Sequence, residues 1–234
     1  MRTKQHFKYV TGIVVPCYNE EERLQLSEFS RFFKKDNTTF FCFVDDGSTD
    51  HSAEILSALS EEDKRCSVIE LSRNFGKEIS LTAGVDYARG DAVICLDADL
   101  QHPPSRIPDM VREWELGYEV VEMIRAPSKH EPLFRQFGSK LFYLVLRSLS
   151  NTDIMAKTTD FRLLDKKVVK AFRKVKERQR MFRGIIDWLG FRKVRLTFIP
   201  NPRKRGLAVY SMAKLTNLAF NSFISYSFHA GYIV

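Results

Sequence analysis

The chain has 234 residues, of which 44% are hydrophobic and 28% charged; these are the proportions of an ordinary globular protein and exclude a disordered or collagen-like chain. The length suits one domain with a substantial core. The net charge of +8 is uneven: residues 162–205 carry +13 and the remainder −5, which points to an anionic partner for that region, whether phospholipid, phosphorylated substrate or nucleic acid.

The opening MRTKQHFKYV is too polar for a secretory signal, and no run of about 20 apolar residues qualifies as a membrane span. Tyr9–Cys17 reads as a first buried strand broken at Pro16, and Asn19-Glu20-Glu21-Glu22 opens a helix reaching about Phe33. Phe40–Val44 is a second strand. It ends in Asp45-Asp46-Gly47-Ser48-Thr49-Asp50, where Asp50 or Ser52 caps a helix toward Leu59. Ser67–Leu71 is a third strand and Lys77–Ala88 a helix. Ala92–Leu96 is a fourth strand, followed by a helix near Ser105–Leu116 and a fifth strand at Glu119–Ile124.

The second half is less regular. Pro132–Leu149 is amphipathic and helical, Thr158–Leu164 is a loop entering a short strand, and helices follow at Lys166–Val175 and Met181–Trp188. Arg192–Ile199 is a further strand, and the apolar but Asn- and Ser-bearing stretch Leu215–Val234 suits an interfacial helix. Cys17, Cys42, Cys66 and Cys95 show no C-x-x-C spacing, and three of them lie in strand-like runs; they read as reduced core thiols of a cytosolic setting.

Strands alternating with helices predict an α/β architecture with a largely parallel sheet, in which ligands sit at the strands' carboxyl ends. The polar clusters Tyr18-Asn19-Glu20, Asp45-Asp46, Arg73-Asn74, Asp97/Asp99 and Arg125 all fall at such ends, so one shared site is predicted. Asp97-Ala98-Asp99 at the end of a buried strand offers two hard carboxylates of the kind that suit Mg²⁺ or Mn²⁺. The D-x-D alone fits a solvated turn as well.

The order VVPCYNEEE, VDDGSTD, LSRNFGKE, GDAVICLDADLQHPP, TDFRLLD and an arginine-rich stretch before Gly206 resembles the family 2 inverting glycosyltransferases with a GT-A (Rossmann-like) fold. Within them it is similar to the polyprenyl-phosphate branch, the dolichol-phosphate mannosyltransferases and bactoprenol glucosyltransferases, over about Thr11–Ser227. The resemblance implies a catalytic domain over 1–210 and a juxtamembrane helix over 211–234, with the family's transmembrane helices absent from this chain. It also implies a nucleotide-sugar donor (a UDP-sugar before GDP-mannose), a polyprenyl-phosphate acceptor and Mg²⁺ or Mn²⁺. The setting implied is the cytoplasmic face of a membrane with an anionic surface, without nucleic acid; a homo-oligomer is compatible with it.

Carried over by position, Pro16, Tyr18 and Glu20 match the first nucleotide-contacting loop, Asp46 the acid reading the base edge, and Lys77 a residue near the donor phosphates. Asp97, Asp99 and Gln101 match the metal site, with Asp97 and Gln101 also facing the sugar diphosphate. Arg125, Arg135 and Ser139 match the acceptor-phosphate residues, and Asp160 and Arg203 the catalytic ones. Asp160 corresponds to the family's assigned base. A phosphate acceptor is already largely dianionic at neutral pH, however, so a strong base is less necessary than for a hydroxyl.

Two departures stand out. The segment Ala126–Phe134 carries Ser128 where a second arginine is usual, and Gly206-Leu207-Ala208-Val209-Tyr210 replaces the family's G-x-S/T-K-Y, removing a hydroxyl and a lysine. The alternatives are a GT-A enzyme acting on a sugar or protein hydroxyl and an inactive relative that binds nucleotides or anionic surfaces. A dinucleotide oxidoreductase is excluded by the lack of G-x-G-x-x-G after the first strand.

Overall fold

A computed structural model describes residues 10–22, 24, 38–99, 101–126, 158–177 and 180–200. Among these, seven strands form one sheet: β1 (Thr11–Cys17), β2 (Thr39–Asp45), β3 (Cys66–Glu70), β4 (Ala92–Cys95), β5 (Val120–Arg125), β6 (Thr158–Asp165) and β7 (Lys193–Phe198). Their order is β3-β2-β1-β4-β6-β5-β7. The helices are α1 (Ser52–Glu62), α2 (Lys77–Tyr87), α3 (Ile107–Glu115), α4 (Lys166–Lys174) and α5 (Phe182–Trp188), with a 3-10 turn at Pro104–Arg106 before α3.

β1 through β4 pair in parallel, and so do β5 and β7. β6 runs antiparallel to both its neighbours, β4 and β5. The expected mostly parallel α/β sheet is thus present, with one reversed strand inserted at its middle. The reversal decides where Asp160 lies. β6 starts at the edge where β1, β2, β4 and β5 end, so Asp160, near its beginning, faces the same rim as Asp97 and Arg125.

Two apolar clusters cover the two faces. Leu56 and Leu59 of α1 and Ile107, Met110 and Val111 of α3 pack with Ile13, Phe43, Ile94 and Leu163 on one side. On the other, Leu81 and Val85 of α2, Val168 and Phe172 of α4 and Phe182 and Ile186 of α5 pack with Val14, Val44, Val93 and Leu164. The alternating partition of neighbouring strand residues is the period-two rule at work. α4 begins where Asp165 accepts the amide of Lys167 at 2.7 Å, an N-cap that also takes the Trp114 indole N–H at 2.7 Å.

Strand and helix bounds agree with expectation to within a few residues, with two differences. β1 continues through Pro16, which pairs with Val44 one position before the strand's end, so the proline does not break it. β6 is a full eight-residue strand rather than a short one. The helices expected before Phe33, over Pro132–Leu149 and over 211–234 lie outside the described residues, as does the boundary at residue 210. Among the described residues, no helix is long and apolar enough to cross a membrane.

The surplus of basic residues finds much of its complement within the chain. Lys166 meets Asp91, Lys167 meets Glu119, Arg180 meets Asp86 and Lys193 meets Asp187. Arg173 donates to the carbonyls of Val85 and Ala88 at the end of α2. Three of these pairs, to Asp91, Glu119 and Asp86, reach outside residues 162–205, so part of the +13 neutralises the acidic remainder instead of waiting for an external anion.

α2 lies close on β1 because Gly84 has no side chain: a Cβ there would stand 2.2 Å from Val14 Cγ1. Gly84→Ala is expected to destabilise the fold by about 1–3 kcal/mol through overpacking, although alanine is the better helix former. Urea unfolding of the variant beside the parent measures it.

Candidate active site

Three turns build the rim. At the end of β1, Asn19 adopts the left-handed conformation (φ 51°) and its amide side chain accepts the Thr49 N–H at 2.8 Å. Glu20 N donates to Ser52 Oγ at 2.8 Å and Glu21 N to Asp50 Oδ2 at 3.2 Å, so the loop of Tyr18–Glu20 is sewn to the turn after β2. Tyr18 is exposed, while Pro16 and Glu20 are partly buried.

The Asp-Asp-Gly-Ser turn is the second. Asp45 takes the hydroxyl and, at 3.2 Å, the amide of Ser48. Gly47 has φ +66° and presses on the backbone of Arg73, where a Cβ would come within 2.4 Å. Asp46 is buried, and its two oxygens accept the amides of Phe75 and Gly76, each at 2.8 Å. The carboxylate thus fastens the 73–77 loop and hence the start of α2. Arg73 lies 4.0 Å over the Phe75 ring in the same loop.

The third is Asp97–Gln101. Asp99 Oδ1 accepts the Gln101 amide at 3.1 Å, closing the turn. The Gln101 side-chain oxygen accepts from Arg125 at 2.8 Å, joining an expected metal residue to an expected acceptor residue. His102 is buried, stacked on Phe161 with centroids 5.1 Å apart and edge-on to Phe198 at 5.6 Å. Its Nδ1 accepts the Asp97 amide at 3.3 Å, which requires the proton on Nε2. Burial, chiefly, holds the His102 pKa below the usual value, in keeping with that neutral ring.

Lys77, the first residue of α2, ties these turns to β6. Its ammonium lies 2.6 Å from Asp97 Oδ1 and 2.8 Å from Asp160 Oδ2. Burial pushes its pKa down, but the two carboxylates outweigh it and raise the value. Asp160 is buried, and its second oxygen lies 2.8 Å from Nε of Arg183 on α5. Burial pushes the Asp160 carboxyl up; Lys77 and Arg183 overcome this and hold it below the ordinary carboxylate range. A bulge sets its place: Glu122 pairs with Arg162 and Ile124 with Thr158, so Met123 alone opposes Thr159–Phe161.

Asp97 Oδ1 is buried, and the Lys77 ammonium 2.6 Å away is its charge partner. The Asp97 and Asp99 carboxylates and the Gln101 amide oxygen are hard oxygen donors of the kind that suit a divalent cation. Among the described residues, no group of three or more His, Cys, Asp and Glu side chains converges on one point. Two carboxylates and an amide oxygen are therefore what the chain offers.

The structure thus brings Asp46, Lys77, Asp97, Asp99, Gln101, Arg125 and Asp160 to one rim with the Tyr18–Glu20 loop. Arg135, Ser139, Arg203 and the 206–210 loop lie outside the described residues. Arg183 and His102 were not singled out from sequence: His102 stood unremarked inside the DADLQHPP motif, and Arg183 was one of many charges in a basic third.

Comparison with known proteins extends this picture. The profile described as glycosyl transferase family 2 matches residues 12–173. An uncharacterized glycosyltransferase of Bacillus subtilis (strain 168) is 38% identical over 229 residues, covering 95% of this chain and 69% of its own. The bactoprenol glucosyl transferase of Shigella phage SfV is 32% identical over 221 residues, covering 92% and 71%. The mannosyltransferase of Pyrobaculum calidifontis in complex with GDP-Man and Mn²⁺ shares the fold, with TM-score 0.60 at 18% identity over 94% of this chain and 65% of that one. So does glucosyl-3-phosphoglycerate synthase of Mycobacterium tuberculosis with Mn²⁺ and UDP, with TM-score 0.59 at 15% identity, covering 94% and 80%.

Two outcomes follow from the site. Asp46→Ala orphans two backbone amides and is expected to cost about 2–3 kcal/mol; faster hydrogen exchange at Phe75 and Gly76 locates the loss. Because folding lowers the Asp160 pKa, its ionisation stabilises the fold fully above about pH 4 and the contribution fades as pH falls through the folded value. Asp160→Asn is therefore expected to lose less stability than the parent on acidification from about pH 6 to pH 3, read as thermal midpoints; parallel acid limbs would refute the assignment.

Proposed function

Because the chain belongs to glycosyl transferase family 2 and is a glycosyltransferase, we propose that it moves a sugar, glucose foremost, from a UDP-sugar to a polyprenyl phosphate. The observation that carries this reading is the double ion pairing of Asp160 by Lys77 and Arg183. A general base for a hydroxyl acceptor works best with a pKa near the working pH, and this carboxyl is held the other way. A phosphate acceptor needs no such base, since its second ionisation near pH 6 leaves it largely dianionic. The name of the relative from Shigella phage, a bactoprenol glucosyl transferase, agrees with a polyprenyl-phosphate acceptor and with glucose.

In this mechanism, an oxygen of the acceptor phosphate attacks the anomeric carbon from the face opposite the nucleotide. One C–O bond forms, the C–O bond to the diphosphate breaks, and the configuration inverts. Tyr18 and Glu20 hold the nucleoside end, while Asp46 keeps the 73–77 loop in place so that Lys77 reaches the diphosphate. Asp97, Asp99 and Gln101 would hold Mg²⁺ or Mn²⁺, which would supply positive charge against that gathering on the leaving diphosphate. Arg125, with Arg135, Ser139 and Arg203 on segments outside the described residues, offsets the repulsion between anionic acceptor and anionic donor. Asp160 orients Lys77 rather than removing a proton. The reaction belongs at the cytoplasmic face of a membrane, where the unpaired part of the basic surface and the 211–234 segment meet anionic lipid.

The test is a donor panel (UDP-Glc, UDP-GlcNAc, UDP-Gal, GDP-Man) with a short polyprenyl phosphate in detergent and Mn²⁺ or Mg²⁺. A lipid-linked hexose formed fastest from UDP-glucose is expected, whereas hydrolysis or transfer only to hydroxyls would overturn the acceptor assignment. Asp99→Ala is expected to lower kcat/KM by about 10²-fold or more. It should also abolish the Mn²⁺-dependent part of donor binding by titration calorimetry, and identical parent isotherms with and without Mn²⁺ would sink the metal assignment.

A further inference from the structure

Helix α5 meets strand β6 through two oppositely charged contacts. On β6, Asp160 and Arg162 stand two residues apart, up to about 6.6 Å along an extended strand. On α5, Arg183 and Asp187 stand four residues apart, about 6 Å along a helix and nearly on one face. The signs are reversed between the two elements: Arg183 Nε lies 2.8 Å from Asp160, and Asp187 lies 4.0 Å from Arg162. Arg162 is wholly buried and is balanced also by the equally buried Glu122 at 3.2 Å, which Arg195 holds in turn at 3.1 Å. Asp187 has a second cation, Lys193, at 2.8 Å.

The start of the helix is fixed separately. Glu78, the neighbour of Lys77 on α2, accepts the amide of Phe182 at 2.7 Å. α5 is thereby held at its first turn from α2 and along its face from β6. A one-residue slip would turn Arg183 by about 100° and break both charge contacts together.

We infer that Arg183 is a positioning residue for sugar transfer, acting through Asp160 to keep Lys77 shared between Asp160 and Asp97. The line Arg183–Asp160–Lys77–Asp97 alternates in sign, and the Glu78 carboxylate lies within electrostatic reach of both Arg183 and Lys77. Without Arg183, the buried Asp160 carboxylate loses its second direct ion pair, is left with Lys77 and the more distant Arg162, and draws the ammonium away from the D-x-D turn. The inference deepens the proposed function, resting on the reading that Asp160 serves transfer by orienting Lys77.

The test is a double-mutant cycle on the full chain with Arg183→Gln and Asp160→Asn, alongside Arg183→Lys. Arg183→Gln is expected to lower kcat about 10–100-fold with a smaller change in donor KM, the usual loss on removing a group that orients a site residue. Arg183→Lys, which keeps the charge, should recover part of it, and the double variant should be no slower than Asp160→Asn alone to within about threefold. Multiplying losses in the double variant, or parent kcat in Arg183→Gln beside an impaired Asp160→Asn, would overturn the inference.

Parent kcat in Asp160→Asn overturns the role given to Asp160 in the proposed function and, with it, the catalytic half of this inference. The same cycle in urea unfolding then decides the α5 clamp without any activity. Effects on the folding equilibrium constant that fail to multiply support the clamp, and effects that multiply overturn it.

Discussion

One buried carboxylate organises the rim. Asp160 sits on the reversed strand, in a bulge, between an ammonium from α2 and a guanidinium from α5. A buried anion is costly unless it is paired, and the same pairing fixes two helices relative to the sheet. Lys77 then carries that order to Asp97, Asp46 carries it into the loop preceding Lys77, and Gln101 passes it on to Arg125. The turns that gather at the rim are short and polar, and they are tied together by side-chain bonds to backbone amides at the first two and by the Lys77 ion pair and the Gln101–Arg125 bond at the third.

Electrostatics of this kind favour a particular division of labour. An acid with cations on both oxygens is a poor proton acceptor but a good anchor for those cations. Chemistry between two anionic substrates asks more of anchored positive charge than of a base. The fold supplies that charge from the sheet and from one face of it: Arg125 from a strand, Lys77 and Arg183 from helices covering that face.

Much of this was legible in the sequence. Apolar runs ended by Asp, Asn, Gly and Pro marked the strand ends, and their coincidence with every polar cluster pointed to one edge. Other features were not legible, for physical reasons. Strand direction leaves no trace in period-two patterning, so the antiparallel course of β6, and with it the place of Asp160, emerged only from the register. Pro16 has the look of a strand breaker in the sequence, yet a proline one position from a strand's end can be tolerated where its missing N–H is not needed. The tie between Arg183 and Asp160 spans 23 residues, and a charge whose partner is distant looks like any solvated charge. Nothing local to Asp46 reveals that its oxygens accept amides 29 and 30 residues onward.

The reversal of β6 also shapes what the architecture can become. The chain leaves β5 at Arg125 and re-enters β6 at Thr158 on the same edge, between adjacent paired strands, and it leaves β7 at Phe198 on that edge too. The intervening 32-residue stretch is thus tethered at both ends to the rim, while the sheet register is fixed by pairs lower down, such as Val120 with Leu164 and Val120 with Lys193. Excursions from this edge can be lengthened, shortened or exchanged without unpairing a strand. A sheet wired in this way keeps its strand pairing independent of how long the connections at that edge are.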